Sequence, residues 1–100
     1  MKKVTYKREK KPHFGISYNV YCDSVKIGYI KKDSIYNVWF FWMDTGKSDY
    51  RYDDGFEELA GGHTLKETKQ NLEVEISKGY FYGKDGEKIN LNDHFPSLKF

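Results

Sequence analysis

The sequence is poor in residues that stabilise several common classes of small protein. It contains one cysteine, two prolines and a single alanine among 100 residues. One cysteine cannot close an internal disulfide, which excludes the disulfide scaffolds typical of small secreted domains. Cys22 has no cysteine or histidine at ligand spacing, so we expect a small buried apolar side chain rather than a nucleophile or a metal ligand.

Long apolar runs are also missing. The longest, residues 38–43, has the length of a strand, whereas a membrane-crossing helix needs about 20 apolar residues. The N-terminus begins with lysines but has no apolar segment behind them, so we expect no secretory signal peptide. A charged fraction of 32% and a mean hydropathy of −0.84 are typical of a soluble protein, and we expect a cytoplasmic location.

Aromatic residues supply much of the apolar material that is present. Nine tyrosines, seven phenylalanines and two tryptophans make up 18% of the chain. Each such side chain buries a large area, so few are needed to build a small core. A chain of 100 residues is expected to form one domain with room for one sheet and about one helix.

Charge is distributed unevenly along the chain. Residues 1–11 hold six lysines and arginines against one glutamate, a net charge of +5, and the total of +2 leaves −3 for the remaining residues. Pro12 ends this tract, so the sequence predicts a basic N-terminal arm over residues 1–12 and a single α+β domain over residues 13–100. Lysine far outnumbers arginine and Ala60 is the only alanine, a bias typical of an AT-rich genome such as that of a low-GC bacterium or a phage.

Period-two alternation indicates the first strand of that domain. Between residues 14 and 22, one face is apolar and holds Ile16, Tyr18, Val20 and Cys22, while the other holds Ser17, Asn19 and Tyr21. Asp23 and Ser24 supply turn chemistry before a second run over residues 25–30, which predicts a β-hairpin. Gly28 within that run indicates a bulge or a close backbone approach.

Residues 35–43 form the most β-prone segment and are expected to be the central strand, after a turn at residues 31–34. Both faces are apolar, with Tyr36, Val38, Phe40 and Trp42 on one and Ile35, Trp39, Phe41 and Met43 on the other. One helix covers only one face, so the rest of the chain, a second copy or a partner covers the other, and these alternatives stay open. Residues 49–52 predict a short fourth strand, followed by an irregular connection over residues 53–62.

One helix has clear boundary signals. Thr64 followed by Glu67 is a capping box, and Gly79 stands where a left-handed C-terminal cap is expected. Residues 72–76 also alternate with period two, so a shorter helix followed by a strand stays open. Residues 80–82 and 87–91 predict a terminal hairpin. The fold class is therefore α+β, an antiparallel sheet of three or four strands with one helix on a face, a C-terminal β-hairpin and a tail packed back on the body through Phe95, Leu98 and Phe100.

No pattern in the sequence is typical of a catalytic, cofactor or metal site. His13, His63 and His94 are each alone in their segment. The acidic residues between positions 49 and 58 lack the spacing of a calcium-binding loop, and the glycines between positions 55 and 62 lack that of a phosphate-binding loop. We expect a protein that is not an enzyme and uses no cofactor, metal, small-molecule substrate or membrane.

The two-sided apolar strand and the acidic segment favour protein–protein contact. An inhibitor or adaptor that binds another protein or a second copy of itself would have these features. The candidate partner-binding residues are Trp39, Phe41, Trp42, Asp53, Asp54, Glu57 and Glu58.

The basic arm favours nucleic acid as the alternative partner. Lysine-rich tracts bind phosphate backbones, and exposed tyrosines stack on unpaired bases. A solubilising tail is an equally good interpretation of the arm. The candidate nucleic-acid-binding residues are Lys2, Lys3, Lys7, Arg8, Lys10, Lys11 and Tyr21.

Overall fold

The computed structural model describes residues 3–9, 16–33, 35–44, 56–82 and 86–98, with the backbone alone for residues 33 and 56–60. The fold is α+β, as predicted, and its main sheet is antiparallel with the strand order β1-β2-β3-β4-β5. The elements are β1 Val4–Arg8, β2 Ser17–Cys22, β3 Val25–Asp33, β4 Val38–Asp44, β5 Phe56–Gly62, α1 Leu65–Lys78, β6 Tyr80–Tyr82, β7 Lys88–Asn90 and α2 Leu91–His94. The sheet thus has five strands, where three or four were expected.

Part of the predicted arm belongs to the sheet. Val4–Arg8 form β1, which pairs with β2 over five residues, from Val4 opposite Cys22 to Arg8 opposite Tyr18. The expectation of an arm that precedes the folded domain is therefore wrong for these residues. Val4 and Tyr6 alternate with Thr5 and Lys7, but this alternation is short and lies among lysines and arginines, so it did not indicate a strand.

The predicted hairpin of β2 and β3 is confirmed. Asp23 and Ser24 both have positive φ, of 47° and 71°, as a two-residue hairpin turn with the right twist requires. The register shifts between Val20 and Tyr21, opposite Gly28 and Lys26. A Cβ on Gly28 would collide with the carbonyl oxygen of Trp42 on β4, so the close backbone approach is also confirmed.

The strand predicted over residues 35–43 begins later than expected. Asp33 still pairs with Val38, so β3 runs through the expected turn and the chain reverses at residues 35–37. Ile35 and Tyr36 are 84% and 74% exposed at this turn, and Asn37 has a φ of 55°, a conformation that asparagine tolerates. In the strand order, β3 rather than β4 is central.

The fifth strand lies where an irregular connection was expected. Phe56–Gly62 pair with β4, with Gly61 opposite Phe40 and Gly62 opposite Trp39. A Cβ on Gly61 would collide with the carbonyl oxygen of Trp39. Two glycines and two glutamates give this segment low β-propensity, so its pairing depends on β4 rather than on its own sequence. The fourth strand predicted at residues 49–52 lies outside the described residues.

Helix α1 matches its predicted boundaries. The Glu67 amide donates to the Thr64 hydroxyl oxygen at 3.0 Å, and Gly79 ends the helix with a φ of 86°. The helix runs unbroken through residues 72–76, which decides against a strand there, and it buries Thr68, Leu72 and Ile76. These three residues face the sheet together because positions i, i+4 and i+8 share one side of a helix.

The C-terminal hairpin and tail complete the core. Strands β6 and β7 pair from Tyr80 opposite Asn90 to Tyr82 opposite Lys88. The described tail packs back as predicted, since Leu98 is buried and Phe95 contacts the core, and it adds the unpredicted single turn α2. Phe100 lies outside the described residues.

The main sheet has two unlike faces. The inner face, defined by Val20, Cys22, Ile30, Phe41 and Met43, is fully buried against α1 and the C-terminal segment. The ring of Phe41 stacks on Phe81 with centroids 5.4 Å apart. The outer face, on the opposite side of the same strands, carries half-buried side chains at alternate positions of β2, β3 and β4.

Candidate functional site

The pleat of β4 separates the candidate aromatic residues. Trp39 and Phe41 lie on the inner face, where they are 7% and 0% exposed. Trp39 lies beside Tyr18, with ring centroids 6.1 Å apart. Trp42 lies on the outer face and is half-buried. Of the three, only Trp42 stands where a binding partner reaches it without opening the core.

An aromatic cluster occupies the outer face around Trp42. Tyr29 lies opposite Trp42 across β3 and β4, and the two rings stack with centroids 6.3 Å apart and planes 16° from parallel. Phe40 lies on the same face two residues away, and Tyr21 lies there on β2. All four rings are half-buried, and none belongs to the main core cluster. The outer face thus presents aromatic side chains on three neighbouring strands, with the stacked pair of Tyr29 and Trp42 on β3 and β4.

Lysines border this aromatic cluster. Strand pairing places Lys26 beside Tyr21 and Lys31 beside Phe40, while Lys7 lies beside Asn19 at the β1 end. The acidic side chains described on this face are those of Asp44 and Glu9. Oε2 of Glu9 accepts a hydrogen bond from the side-chain amide of Asn19 at 3.4 Å. The outer face is therefore aromatic at β3 and β4 and polar, with more lysine than acid, towards β1.

The remaining candidates are spread over several elements. Lys7 and Tyr21 share the outer face, whereas Arg8 is in register with Tyr18 on the inner side. Lys3 precedes β1 and is exposed. Glu57 and Glu58 lie on β5, in register with Met43 and Trp42. The candidates that lie outside the described residues are Lys2, Lys10, Lys11, Asp53 and Asp54.

Sequence reasoning missed a polar contact that ties β1 to the helix. The Tyr6 hydroxyl donates to Oε2 of Glu73 at 2.8 Å, and the Lys69 ammonium lies 4.5 Å from the Tyr6 ring centroid and 5.6 Å from that of Tyr18. Burial, together with the hydrogen bond and the charge of Glu73, raises the pKa of Tyr6 above its ordinary value. The phenol, which is protonated at neutral pH as in any tyrosine, donates to Glu73 and anchors β1 over the inner face.

The outer edge of β1 is a second feature that the sequence did not reveal. The Glu9 amide donates to Ser17 O at 3.0 Å, and the Asp23 amide donates to Lys3 O at 2.8 Å. In an antiparallel pair, the hydrogen-bonded positions are two residues apart. Val4, Tyr6 and Arg8 therefore direct their amides and carbonyls away from β2, and no described strand pairs with this edge.

The remaining candidate ligands are dispersed. His63 is exposed just before the helix cap and His94 is half-buried in α2, while His13 lies outside the described residues. Cys22 is buried in the core, as predicted. Within the described ranges, no group of three or more acidic, histidine or cysteine side chains is arranged to hold a metal ion. No described helix is long and apolar enough to span a membrane.

Comparison with known proteins found no match to any protein family model, to any curated protein or to any solved structure.

Proposed function

We propose that the protein is a small non-enzymatic binding protein that contacts another protein through the outer face of its sheet. The supporting observation is the half-buried cluster of Tyr29, Phe40 and Trp42 on the face opposite α1. Tryptophan and tyrosine are the residues most enriched in the energetically dominant centres of protein interfaces. The lysines and Asn19 around this cluster give it the polar rim that such centres have.

The preformed ring stack supports this assignment. Tyr29 and Trp42 are held by neighbouring strands, and their backbones are fixed by the register of β3 with β4. A partner therefore meets rings that already lie in place, and little side-chain entropy is lost on binding. Trp39, the other tryptophan among the candidate partner-binding residues, is buried in the core.

A capture experiment from the native host tests the proposal. The intact protein is compared with Trp42→Ala and with Tyr82→Ala, a matched control whose ring is 60% exposed on the C-terminal hairpin. The captured material is treated with nuclease and scored for protein and for nucleic acid. We expect one protein species to survive nuclease with the intact chain and Tyr82→Ala, and to be lost with Trp42→Ala. Equal capture by both variants would show that the outer face is not the binding surface.

Nucleic acid is the second candidate, and a specific arrangement favours it. Lys7 and Lys26 are exposed on the same face as Tyr21, so cations and rings alternate over β1, β2 and β3. Single-stranded nucleic acids bind such surfaces by stacking their bases while lysines contact the phosphates. The acidic Asp44 and Glu9 on the same face weigh against this candidate.

Salt dependence separates the two candidates. Deleting residues 2–11 would remove β1, so Lys7→Glu and Lys26→Glu are the suitable variants. With five or six phosphate contacts, affinity for an oligonucleotide would fall about a thousandfold between 50 and 200 mM salt. Our lead proposal expects only weak binding of this kind. Tight binding of an oligonucleotide at 200 mM salt that is lost in both variants would favour the second candidate.

A further inference from the structure

We infer that the outer edge of β1 is a second binding surface, which accepts an extended acidic segment of a partner protein as an added strand. This surface is distinct from the outer face, and the inference rests on the proposed function only in taking the partner to be a protein. Val4, Tyr6 and Arg8 direct their amides and carbonyls away from β2, as the hydrogen bonds that flank them require. An incoming strand satisfies these groups by main-chain hydrogen bonds alone.

The edge is held in place for such pairing. Five consecutive residues of β1 are in register with β2, and Tyr6 is hydrogen-bonded to Glu73 beneath the sheet. Val4 and Tyr6 also pack against the core cluster. A strand added to a rigid edge costs less ordering entropy than one added to a frayed terminus.

The positive charge along β1 favours an acidic occupant of this edge. Lys3, just before this short strand, and Lys7 and Arg8 within it are all exposed. Within residues 3–9 the single acid is Glu9, which is half-buried and accepts a hydrogen bond from Asn19, while Glu73 of α1 lies beneath the sheet and is bonded to Tyr6. Like charges on adjacent strands repel, so two copies of β1 do not pair well with each other. An acidic segment complements the same charges.

The faces of β1 define the pattern that this segment needs. Thr5 and Lys7 point to the outer face, while Val4 and Tyr6 point inward beside the core. Side chains of an added strand follow the same alternation as their neighbours. The occupant therefore alternates acidic residues next to Lys7 with apolar residues next to Val4 and Tyr6.

The probe is a synthetic peptide of about seven residues that alternates glutamate with valine, the typical length of a strand. Amide hydrogen exchange is measured residue by residue in the intact protein, with and without peptide. At ten times its Kd, the peptide is expected to slow exchange at Val4, Tyr6 and Arg8 by about tenfold. The Thr5 and Lys7 amides already point to β2 and are expected to stay unchanged.

Two substitutions at one position provide the matched comparison. Arg8→Pro removes an outward amide and keeps the pairing with β2, because proline is tolerated on edge strands. Arg8→Ala removes the same charge but keeps the amide. We expect peptide binding to be lost in Arg8→Pro and only weakened in Arg8→Ala. If Arg8→Pro does not fold, the exchange pattern of the unmodified protein decides alone.

Several results would overturn the inference. One is equal binding of a peptide with lysine in place of glutamate, and another is equal binding of a peptide methylated on its valine nitrogens. A third is protection of the same amides by oligodeoxythymidine. Protection without any peptide as protein concentration rises would identify a second copy as the occupant and would also refute it. Trp42→Ala should leave peptide binding unchanged, so a failure of the outer-face proposal is distinguishable from a failure here.

Discussion

The two tryptophans are expected to respond differently to truncation because they lie on opposite faces of β4. Trp39 is 7% exposed, and a tryptophan side chain buries about 200 Å², which at about 25 cal/mol per Å² corresponds to about 5 kcal/mol. Alanine retains a small part of this burial, so we expect Trp39→Ala to lower the free energy of unfolding by about 3–5 kcal/mol. Trp42 is more exposed than Trp39, so Trp42→Ala should lower the free energy of unfolding by less than Trp39→Ala does.

Urea denaturation followed by circular dichroism measures both losses, and a second assay checks the faces without a large cavity. Trp42→Phe leaves Trp39 as the single tryptophan, which should be poorly quenched by acrylamide in the folded protein. Trp39→Phe leaves Trp42, whose fluorescence should be quenched more strongly, because its ring is partly exposed. Equal stability losses for the two alanine variants, together with equal quenching of the two phenylalanine variants, would refute the assignment of faces.

Two further predictions concern the helix cap and Tyr6. Thr64→Ala should lower the free energy of unfolding by about 1 kcal/mol while Thr64→Ser retains it, since the cap is the hydroxyl oxygen that accepts from Glu67; an equal loss in both would contradict the cap. Above pH 10 the unfolded state loses the Tyr6 proton and the folded state keeps it, so stability falls as pH rises. In urea denaturation between about pH 8 and about pH 11, the free energy of unfolding of Tyr6→Phe should therefore fall less steeply than that of the unmodified protein. Because the ring is partly exposed, the two slopes should differ by less than about 1.4 kcal/mol per pH unit, and parallel curves would contradict the raised pKa.

Elements defined by local signals could be predicted from the sequence. The turn at Asp23 and Ser24, the helix from its Thr64 cap to Gly79, and the hairpin of β6 and β7 all match the structure. A cap or a tight turn depends on residues within about four positions of each other, so the sequence contains all the partners. The burial of Cys22 followed from strand alternation for the same reason.

The candidate site could be predicted only in part. Alternation along β4 separated Trp39 from Trp42, but it did not say which face α1 covers, because that choice depends on contacts between elements distant in the chain. The tyrosine that stacks on Trp42 comes from β3, and strand register rather than sequence spacing brings the two rings together. The aromatic cluster of the outer face is therefore a property of the tertiary structure.

The sequence by itself determined the fold class, one complete helix and two hairpins, whereas the tertiary structure decided the edges and the faces of the sheet. Strand β5, with two glycines and two glutamates, has weak β-propensity, and the β-prone residues of β1 lie among cations, so β2 and β4 as backbone partners decide that both strands join the sheet. The same long-range pairing extends β3 to Asp33 and places Ile35 and Tyr36 in a turn. Strand pairing joins residues far apart in the chain, so local sequence patterns do not contain the information that specifies it.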